Sequence, residues 1–193
     1  NYLQEVKYLC NKYNVLMIVD EVQTGLARTG RMLACDYENV QPDLLVLGKA
    51  LSGGFYPVSS VLGNNEIMDV LTPGTHGSTF GGNPLVCRVA STVLDVIKQD
   101  NLLNNVNVMS DYIVSSFTEK LKAVDSVLEI RAKGLMIAIE LTKECTQLLQ
   151  QALDKKLLIN ITGQSIRLLP PLIINKEQAD EMIDIICELV SQL

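Results

Sequence analysis

The chain has 193 residues, 48% of them hydrophobic, and a formal net charge of −6, so it can bury a core as one or two domains. The negative charge and the lack of basic runs argue against nucleic acid or an anionic membrane as a partner. No apolar stretch is long enough to span a bilayer, and the five cysteines form no CxxC pair, which predicts free thiols in a reducing compartment and no metal site.

The first ten residues already show apolar side chains at helical spacing, at Leu3, Val6, Leu9 and Cys10. No initiating methionine precedes them, and no basic segment followed by an apolar stretch marks a targeting peptide. We therefore expect the chain to begin inside a domain, as the C-terminal fragment of a longer protein.

Two short apolar runs, Val15–Val19 and Leu44–Leu47, are typical of strands buried on both faces of a parallel sheet. The first leads to Asp20 and the second to Lys49. Ligands of open α/β sheets bind at the carboxyl ends of the strands, where both residues would emerge. There a desolvated lysine can react with an aldehyde, and a carboxylate can keep a pyridine nitrogen protonated, which suits pyridoxal phosphate.

Each of these two residues has an ordinary alternative when it is taken by itself. Lys49 can simply reach solvent at the end of a strand, as most lysines do. Asp20 can cap the start of a helix that follows the strand. It is the pairing of an acid and a lysine at two strand ends that favours a cofactor site.

The segments beside these strands contain loops and one further strand. Between the strands we expect a loop over Gly25–Gly30 and a short helix over Arg31–Tyr37, with Arg28 and Arg31 at the surface or at an interface. After Lys49 the glycine pair 53–54 allows a bend, and Ser52 is expected to line the site. Val58–Leu62 is predicted to be the next strand.

The segment Thr72–Pro84 is rich in turn-forming and hydroxyl residues and precedes a helical pattern over Leu85–Leu94. A loop ahead of a helix suits phosphate, although composition alone indicates only a loop. The single histidine, His76, is expected to have a structural role in this loop.

A polar run near Gln99 predicts a boundary between a domain of residues 1–99 and one of residues 100–193. Mixed strands and helices predict a small α+β domain for the second. Its expected elements are helices over Leu102–Val124, Cys145–Lys156 and Lys176–Leu193, an antiparallel pair of Val127–Gly134 with Leu135–Leu141, and strands over Leu157–Ile161 and Ser165–Leu169.

Arg167 interrupts the apolar run Ile166–Leu169 just before two prolines. A planar guanidinium can bind a carboxylate through two parallel hydrogen bonds. An outward-facing strand residue is the ordinary alternative.

Four segments resemble the class III pyridoxal-phosphate aminotransferases in order and spacing: Asp20–Gly30, Pro42–Asp43, Leu47–Gly54 and His76–Pro84. Within that class the likeness is greatest to the enzymes that act on ornithine, and those that act on acetylornithine share much of it. The resemblance implies an α/β protein of pyridoxal-phosphate transferase fold type I. Residues 1–99 would supply part of the mostly parallel sheet of the large domain, and residues 100–193 the small α+β domain.

The resemblance implies that Lys49 holds the cofactor aldehyde and moves the substrate proton, while Asp20 pairs with the ring nitrogen. It also implies that Val22 packs on the ring and that Gln23 approaches the phenolic oxygen. From local sequence alone, Val22 would be a core residue and Gln23 a solvated amide of a loop.

Two more roles follow from the resemblance alone. Thr79 would donate to the cofactor phosphate of a neighbouring subunit, which implies a homodimer. Arg167 would bind the α-carboxylate of the amino acid substrate.

The implied reaction transfers the δ-amino group of ornithine to a 2-oxo acid, expected to be 2-oxoglutarate, and gives glutamate semialdehyde and glutamate. The segment Asn160–Ser165 departs from the pattern expected of ornithine enzymes. Acetylornithine or another ω-amino acid therefore stays as an alternative substrate, and a natively truncated chain would be inactive. The expected compartment is the cytoplasm, with the mitochondrial matrix as the alternative.

Overall fold

Two units make up residues 1–193, all of which the computed structural model describes. The first unit comprises Asn1–Ala27 and Arg31–Asn101. The second comprises Leu102–Leu193 together with the short segment Arg28–Gly30. This segment therefore packs with residues that follow it by more than 70 positions in the chain.

The first unit contains a sheet of three strands, β1 (Ile18–Asp20), β2 (Leu44–Leu47) and β3 (Ser60–Gly63), in that spatial order. β1 and β2 run parallel, and β3 is antiparallel to β2. The carboxyl ends of β1 and β2 therefore lie side by side. The edge of the sheet that these strand ends form carries the residues that follow the two strands.

The sequence predicted the first strand at Val15–Val19, but pairing starts only at Ile18. Asn14 ends the preceding helix with a left-handed φ of 53°, and the Met17 N–H is taken by the Asp43 carboxylate at 2.7 Å. The Met17 carbonyl accepts from the Asp43 and Leu44 N–H groups, so Met17 lies beside the start of β2 and the paired strand begins one residue later.

The prediction that both early strands are buried on both faces is wrong for this chain. Ile18 is 62% exposed, and the residues of β2 are half-buried except for Leu47. β1 is an edge strand with two exposed residues, and all four residues of β3 are exposed, so β2 lies between two strands that have little packed against them.

Three α-helices belong to the first unit: α1 (Tyr2–Tyr13), α2 (Asn65–Met68) and α3 (Pro84–Gln99). Two 3₁₀ turns, Ala34–Glu38 and Lys49–Ser52, complete it. The start of α3 is fixed locally, because the Asn83 side chain accepts from the Val86 N–H and proline occupies the first helical position.

The second unit has an antiparallel sheet of four strands with helices against one face, and the spatial order is β4 (Val127–Lys133), β5 (Met136–Leu141), β7 (Ser165–Leu168) and β6 (Asn160–Thr162). On β5, Ile137, Ile139 and Leu141 are buried and alternate with half-buried residues, so one face of the sheet meets the hydrophobic core. The elements are α4 (Leu102–Leu121), β4 (Val127–Lys133), β5 (Met136–Leu141), α5 (Leu148–Asp154), β6 (Asn160–Thr162), β7 (Ser165–Leu168) and α6 (Lys176–Ser191).

Two predicted boundaries in this unit shift. The helix expected over Cys145–Lys156 is the shorter α5, and the strand expected over Leu157–Ile161 begins only at Asn160. After α5, Lys156 has a φ of 64° and the Leu157 N–H returns to the Ala152 carbonyl, so these residues close the helix first. None of the helices is both long and apolar enough to cross a membrane.

Candidate active site

Asp20 and Lys49 emerge at the same edge of the three-stranded sheet. Asp20 is the last residue of β1 and lies opposite Val46 in the parallel pairing with β2. Lys49 follows the end of β2 by two residues, after Leu47 and Gly48. The topology thus gives this edge an amine and a carboxylate from neighbouring strands.

The backbone of Lys49 is strained and its side chain is unpaired. Its φ is 41°, in the left-handed region that costs a residue with a Cβ on the order of 1–3 kcal/mol. It begins the 3₁₀ turn that closes with the Leu51 N–H on the Gly48 carbonyl. Its side chain is exposed and makes no hydrogen bond or ion pair, so the desolvation expected from the sequence is not seen in this chain.

Asp20 keeps one carboxylate oxygen without a hydrogen bond. Its Oδ1 accepts from the Val22 N–H at 2.9 Å, and Oδ2 has no partner. The residues that follow form turns rather than a helix, so the helix-cap alternative is wrong. A single oxygen is thus available to a cationic group.

Glu21, which the sequence analysis passed over, is the buried acid of this region at 1% exposure. Its backbone N–H donates to the Val46 carbonyl at 2.9 Å, and its Oε1 accepts from the Cys35 N–H at 2.8 Å. The Thr24 hydroxyl donates to its other oxygen. Glu21 therefore fixes the turn that carries residues 22 and 23. The signal was its place beside Asp20, since neighbours at a strand end point to opposite faces.

Cys35 lies against this acid. Burial and the neighbouring Glu21 raise the pKa of the Cys35 thiol to about 11. The thiol is therefore protonated at neutral pH and serves as a packing group.

Val22 packs beside the backbone that leads to Lys49. A Cβ added to Gly48 would lie 3.4 Å from Val22 Cγ1, so these two residues are in close contact. Gln23 is exposed and makes no hydrogen bond. Val22 thus lies at the same edge as Asp20 and Lys49, while the amide of Gln23 is free.

A cavity of about 500 Å³ opens beside Lys49. Ser52 lines it, as expected, and the Ser52 hydroxyl accepts from the Gly54 N–H at 3.0 Å. A larger cavity of about 1050 Å³ lies at the opposite edge of the sheet, near Asp43 and Gly63. We take the smaller cavity as the candidate site because it contains an amine without a partner. Its lining residues are Lys49, Ser52, Gly54, Phe55, Tyr56, Pro57 and Val58.

Thr79 and His76 lie on an exposed loop before α3, and neither makes a hydrogen bond. The loop is closed by other groups: the Thr75 hydroxyl donates to the Thr72 carbonyl, and the Gly81 N–H donates to the Ser78 hydroxyl. The expected structural role of His76 therefore stays a prediction. The hydroxyl of Thr79 is free.

Arg167 belongs to the second unit, on the sheet face that points away from the core. Its neighbours Ile166 and Leu168 are buried, whereas Arg167 is half-buried and has no hydrogen bond or ion pair. It lies opposite Ala138 on β5 and Asn160 on β6. A cavity of about 300 Å³ beside it has no carboxylate in its lining.

Comparison with known proteins gives a family for the whole chain. The protein-family model described as aminotransferase class-III matches residues 1–190. Ornithine aminotransferase 1 of Staphylococcus saprophyticus is 46% identical over 195 residues, which cover 100% of this chain and 48% of that protein. The mitochondrial ornithine aminotransferase of Drosophila melanogaster is 51% identical over 191 residues, with 96% of this chain and 43% of that protein covered.

Solved structures that match this chain are aminotransferases as well. The acetylornithine aminotransferase of Elizabethkingia anophelis matches with a TM-score of 0.93 at 45% identity, covering 100% of this chain and 49% of that one. The ornithine aminotransferase of Toxoplasma gondii ME49 matches with a TM-score of 0.93 at 41% identity, covering 98% and 46%. The chain thus spans about half the length of the relatives it matches.

Proposed function

The chain belongs to the class-III aminotransferases, and from that premise we propose that it supplies the C-terminal part of a pyridoxal-phosphate-dependent aminotransferase. The observation that carries the proposal is the unpaired amine of Lys49 at the same sheet edge as the free carboxylate oxygen of Asp20. Family membership supports the cofactor, since a matched structure from Toxoplasma gondii is described with pyridoxal phosphate at its active site.

The groups at the sheet edge fit this cofactor by their chemistry. When bound, pyridoxal phosphate supplies an aldehyde that takes up an amino group and a ring that accepts electrons. Lys49 would hold the aldehyde between turnovers and then move the proton at the substrate carbon. Asp20 would keep the ring nitrogen protonated through its free oxygen.

Two neighbours of Asp20 would orient the ring. Val22 would lie against its face, which is consistent with its position beside Gly48. Gln23 would donate its unbonded amide to the phenolic oxygen.

Thr79 would act in a second subunit. Its exposed, unbonded hydroxyl suits donation to a phosphate oxygen outside its own unit. We therefore include a homodimer in the proposal, in which Thr79 of each chain reaches the cofactor of the other.

The proposed donor substrate is ornithine. Its δ-amino group would pass to 2-oxoglutarate, giving glutamate semialdehyde and glutamate, with Arg167 binding the α-carboxylate of each substrate in turn. The several relatives named ornithine aminotransferase support this choice. Acetylornithine is the second candidate, because a structure named for that activity matches the whole chain at 45% identity.

The test is an amino-transfer assay on the complete protein that contains this chain, with 2-oxoglutarate as acceptor. Ornithine and N-acetylornithine are supplied separately, and the aldehyde product and glutamate are both measured. We expect turnover with ornithine to exceed turnover with N-acetylornithine, and the matched Lys49→Ala variant to show none. Transfer from neither donor would overturn the proposal, and a preference for N-acetylornithine would replace ornithine with the second candidate.

A further inference from the structure

The pairing of β5 with β7 stops two residues before a proline. The last pair of the ladder joins Ile137 to Leu168. Continuing that register by two residues would bring Leu135 opposite Pro170. Pro170 has no N–H to donate, so the Leu135 carbonyl would lack its strand partner there.

Arg28 supplies the missing partners. The Leu135 N–H donates to the backbone carbonyl of Arg28 at 3.0 Å. The Arg28 guanidinium donates through Nη1 to the Leu135 carbonyl at 3.3 Å and to the Pro170 carbonyl at 2.5 Å. One arginine thus replaces a ladder pair and joins the two strand ends.

The segment that carries Arg28 has little freedom to move. A Cβ on Gly134 would lie 2.4 Å from the Thr29 carbonyl carbon and 2.6 Å from the Arg28 carbonyl oxygen, so only glycine allows this approach. The Asn107 side chain donates to the Gly30 carbonyl at 3.1 Å. The backbone of the segment Arg28–Gly30 is therefore held between Gly134 and the Asn107 side chain.

The guanidinium of Arg28 is half-buried and has only carbonyls as partners. Burial lowers the pKa of Arg28 from its ordinary value, yet an arginine stays protonated at neutral pH. Burial removes water from this cation, and its hydrogen bonds to the two carbonyls offset part of that free-energy cost. One of them, at Pro170, lies three residues after Arg167.

We propose that Arg28 is a positioning residue for Arg167: by holding the Leu135 and Pro170 carbonyls together, it fixes the end of β7 and so the place from which Arg167 meets a substrate carboxylate. This inference rests on the proposed role of Arg167. Arg28 itself touches neither substrate nor cofactor, so its effect must act through the position of another side chain.

The test uses Arg28→Lys in the complete holoenzyme. Lysine keeps the charge, but its ammonium nitrogen is one bond closer to the backbone than Nη1, the single nitrogen that donates to both carbonyls, so it cannot occupy the same position. We expect the KM for the amino donor and the KM for the 2-oxo acid each to rise about tenfold, because a small misplacement of a binding group is costly, while kcat changes by less than about twofold. The absorbance of the bound cofactor should be unchanged.

Arg31→Lys is the matched control. Arg31 lies three residues further along and is exposed, with its guanidinium over the Tyr37 ring at 5.4 Å from the centroid. Both KM values should be those of the wild type. A lowered melting temperature of Arg28→Lys with both KM values unchanged would overturn the proposal, since that pattern marks a role in stability alone.

A double-mutant cycle separates positioning from general damage. If Arg28 acts through Arg167, then Arg28→Lys should raise KM by less than about twofold when Arg167→Lys is already present. A full tenfold rise in KM in the Arg167→Lys background would contradict the inference. If Arg167→Lys alone leaves both KM values unchanged, the proposed role of Arg167 fails; if Arg167→Lys raises them and Arg28→Lys does not, only the role of Arg28 fails.

Asn107→Ala covers the case in which Arg28→Lys does not fold. This variant removes the hydrogen bond to the Gly30 carbonyl, which loosens the backbone segment that carries Arg28 without changing the Arg28 side chain. The two KM values should rise together by a smaller factor. Unchanged values would overturn the proposal.

Discussion

Ala138 lies directly opposite Arg167 in the pairing of β5 with β7. On the other side of Ala138, Arg131 of β4 occupies the same row of the sheet, and its guanidinium pairs with Glu129 and Glu140. These pairs raise the pKa of Arg131 and lower the pKa of Glu140. Of the two arginines in the row, only Arg167 is left without a carboxylate.

The first prediction concerns Arg167→Lys, which keeps the charge and loses the two-pronged geometry. On the proposed role, kcat/KM should fall for both ornithine and 2-oxoglutarate, since both present a carboxylate. The expected loss is on the order of 1.5–3 kcal/mol, the range for a hydrogen bond to a charged group. Cofactor affinity is the internal control and should hardly change. Single-turnover rates that match the wild type in both half-reactions would show that Arg167 is an ordinary strand residue.

The second prediction uses the small size of Ala138. Ala138→Leu should fill much of the cavity of about 300 Å³ beside Arg167 and raise the KM for both carboxylate substrates. Ala138→Gly is the matched control, because it leaves the cavity open and should keep both KM values near those of the wild type. Equal KM values for the leucine and glycine variants would mean that the carboxylate does not bind through this cavity.

The third prediction concerns which lysine holds the cofactor. Borohydride reduction of the complete holoenzyme, followed by proteolysis and mass spectrometry, should find the pyridoxyl group on the peptide that contains Lys49. Lysine is expected to react there because its amine is free of partners. The Lys49→Ala protein should carry no label, and a label on any other lysine of the wild type would contradict the assignment.

Asp20→Ala is the fourth prediction. Removal of the carboxylate takes away the counter-charge of the ring nitrogen, so the cofactor should bind more weakly and turnover should fall by several orders of magnitude. Cofactor binding is followed by equilibrium titration and turnover by the transfer assay. Asp95→Ala, a change of an exposed acid without a hydrogen bond on α3, is the control for loss of a charge. Near-normal turnover of Asp20→Ala would rule out the role.

The fifth prediction is a pH dependence. The hydrogen bond from Lys7, at 2.7 Å, holds the pKa of Asp43 below its ordinary value of 3.8, with a further contribution from the Met17 N–H. A depressed pKa in the folded state stabilises the fold above the unfolded value and ceases to do so as pH falls through the folded one.

Urea unfolding at a series of pH values tests this. Asp43→Asn should be less stable than the wild type at neutral pH, and the difference in free energy of unfolding should shrink once pH falls below 3.8. Asp125→Asn, at an exposed position without a hydrogen bond, should show no such trend. A difference for Asp43→Asn that does not depend on pH would contradict the ion pair.

The placement of Asp20 and Lys49 could be predicted from sequence because it depends on local patterns. Two apolar runs of strand length, each leading to a charged residue, predict strands of a parallel sheet, and if both belong to one sheet their carboxyl ends lie together. The alternation along β7 likewise predicts that Arg167 faces away from Ile166 and Leu168. Periodicity is a property of consecutive residues, so it is visible in the sequence itself.

Contacts between residues far apart in the sequence decided the features that local patterns do not predict. The Asp43 carboxylate accepts from the Met17 N–H, and the buried Glu21 carboxylate accepts from the N–H of Cys35, 14 residues away. Arg28 was expected at the surface or an interface, yet it is half-buried against carbonyls 107 and 142 residues further along. Its partners are backbone groups, which every residue type carries. The amino acid sequence therefore holds no local sign of them, and only the folded chain shows which carbonyls an arginine reaches.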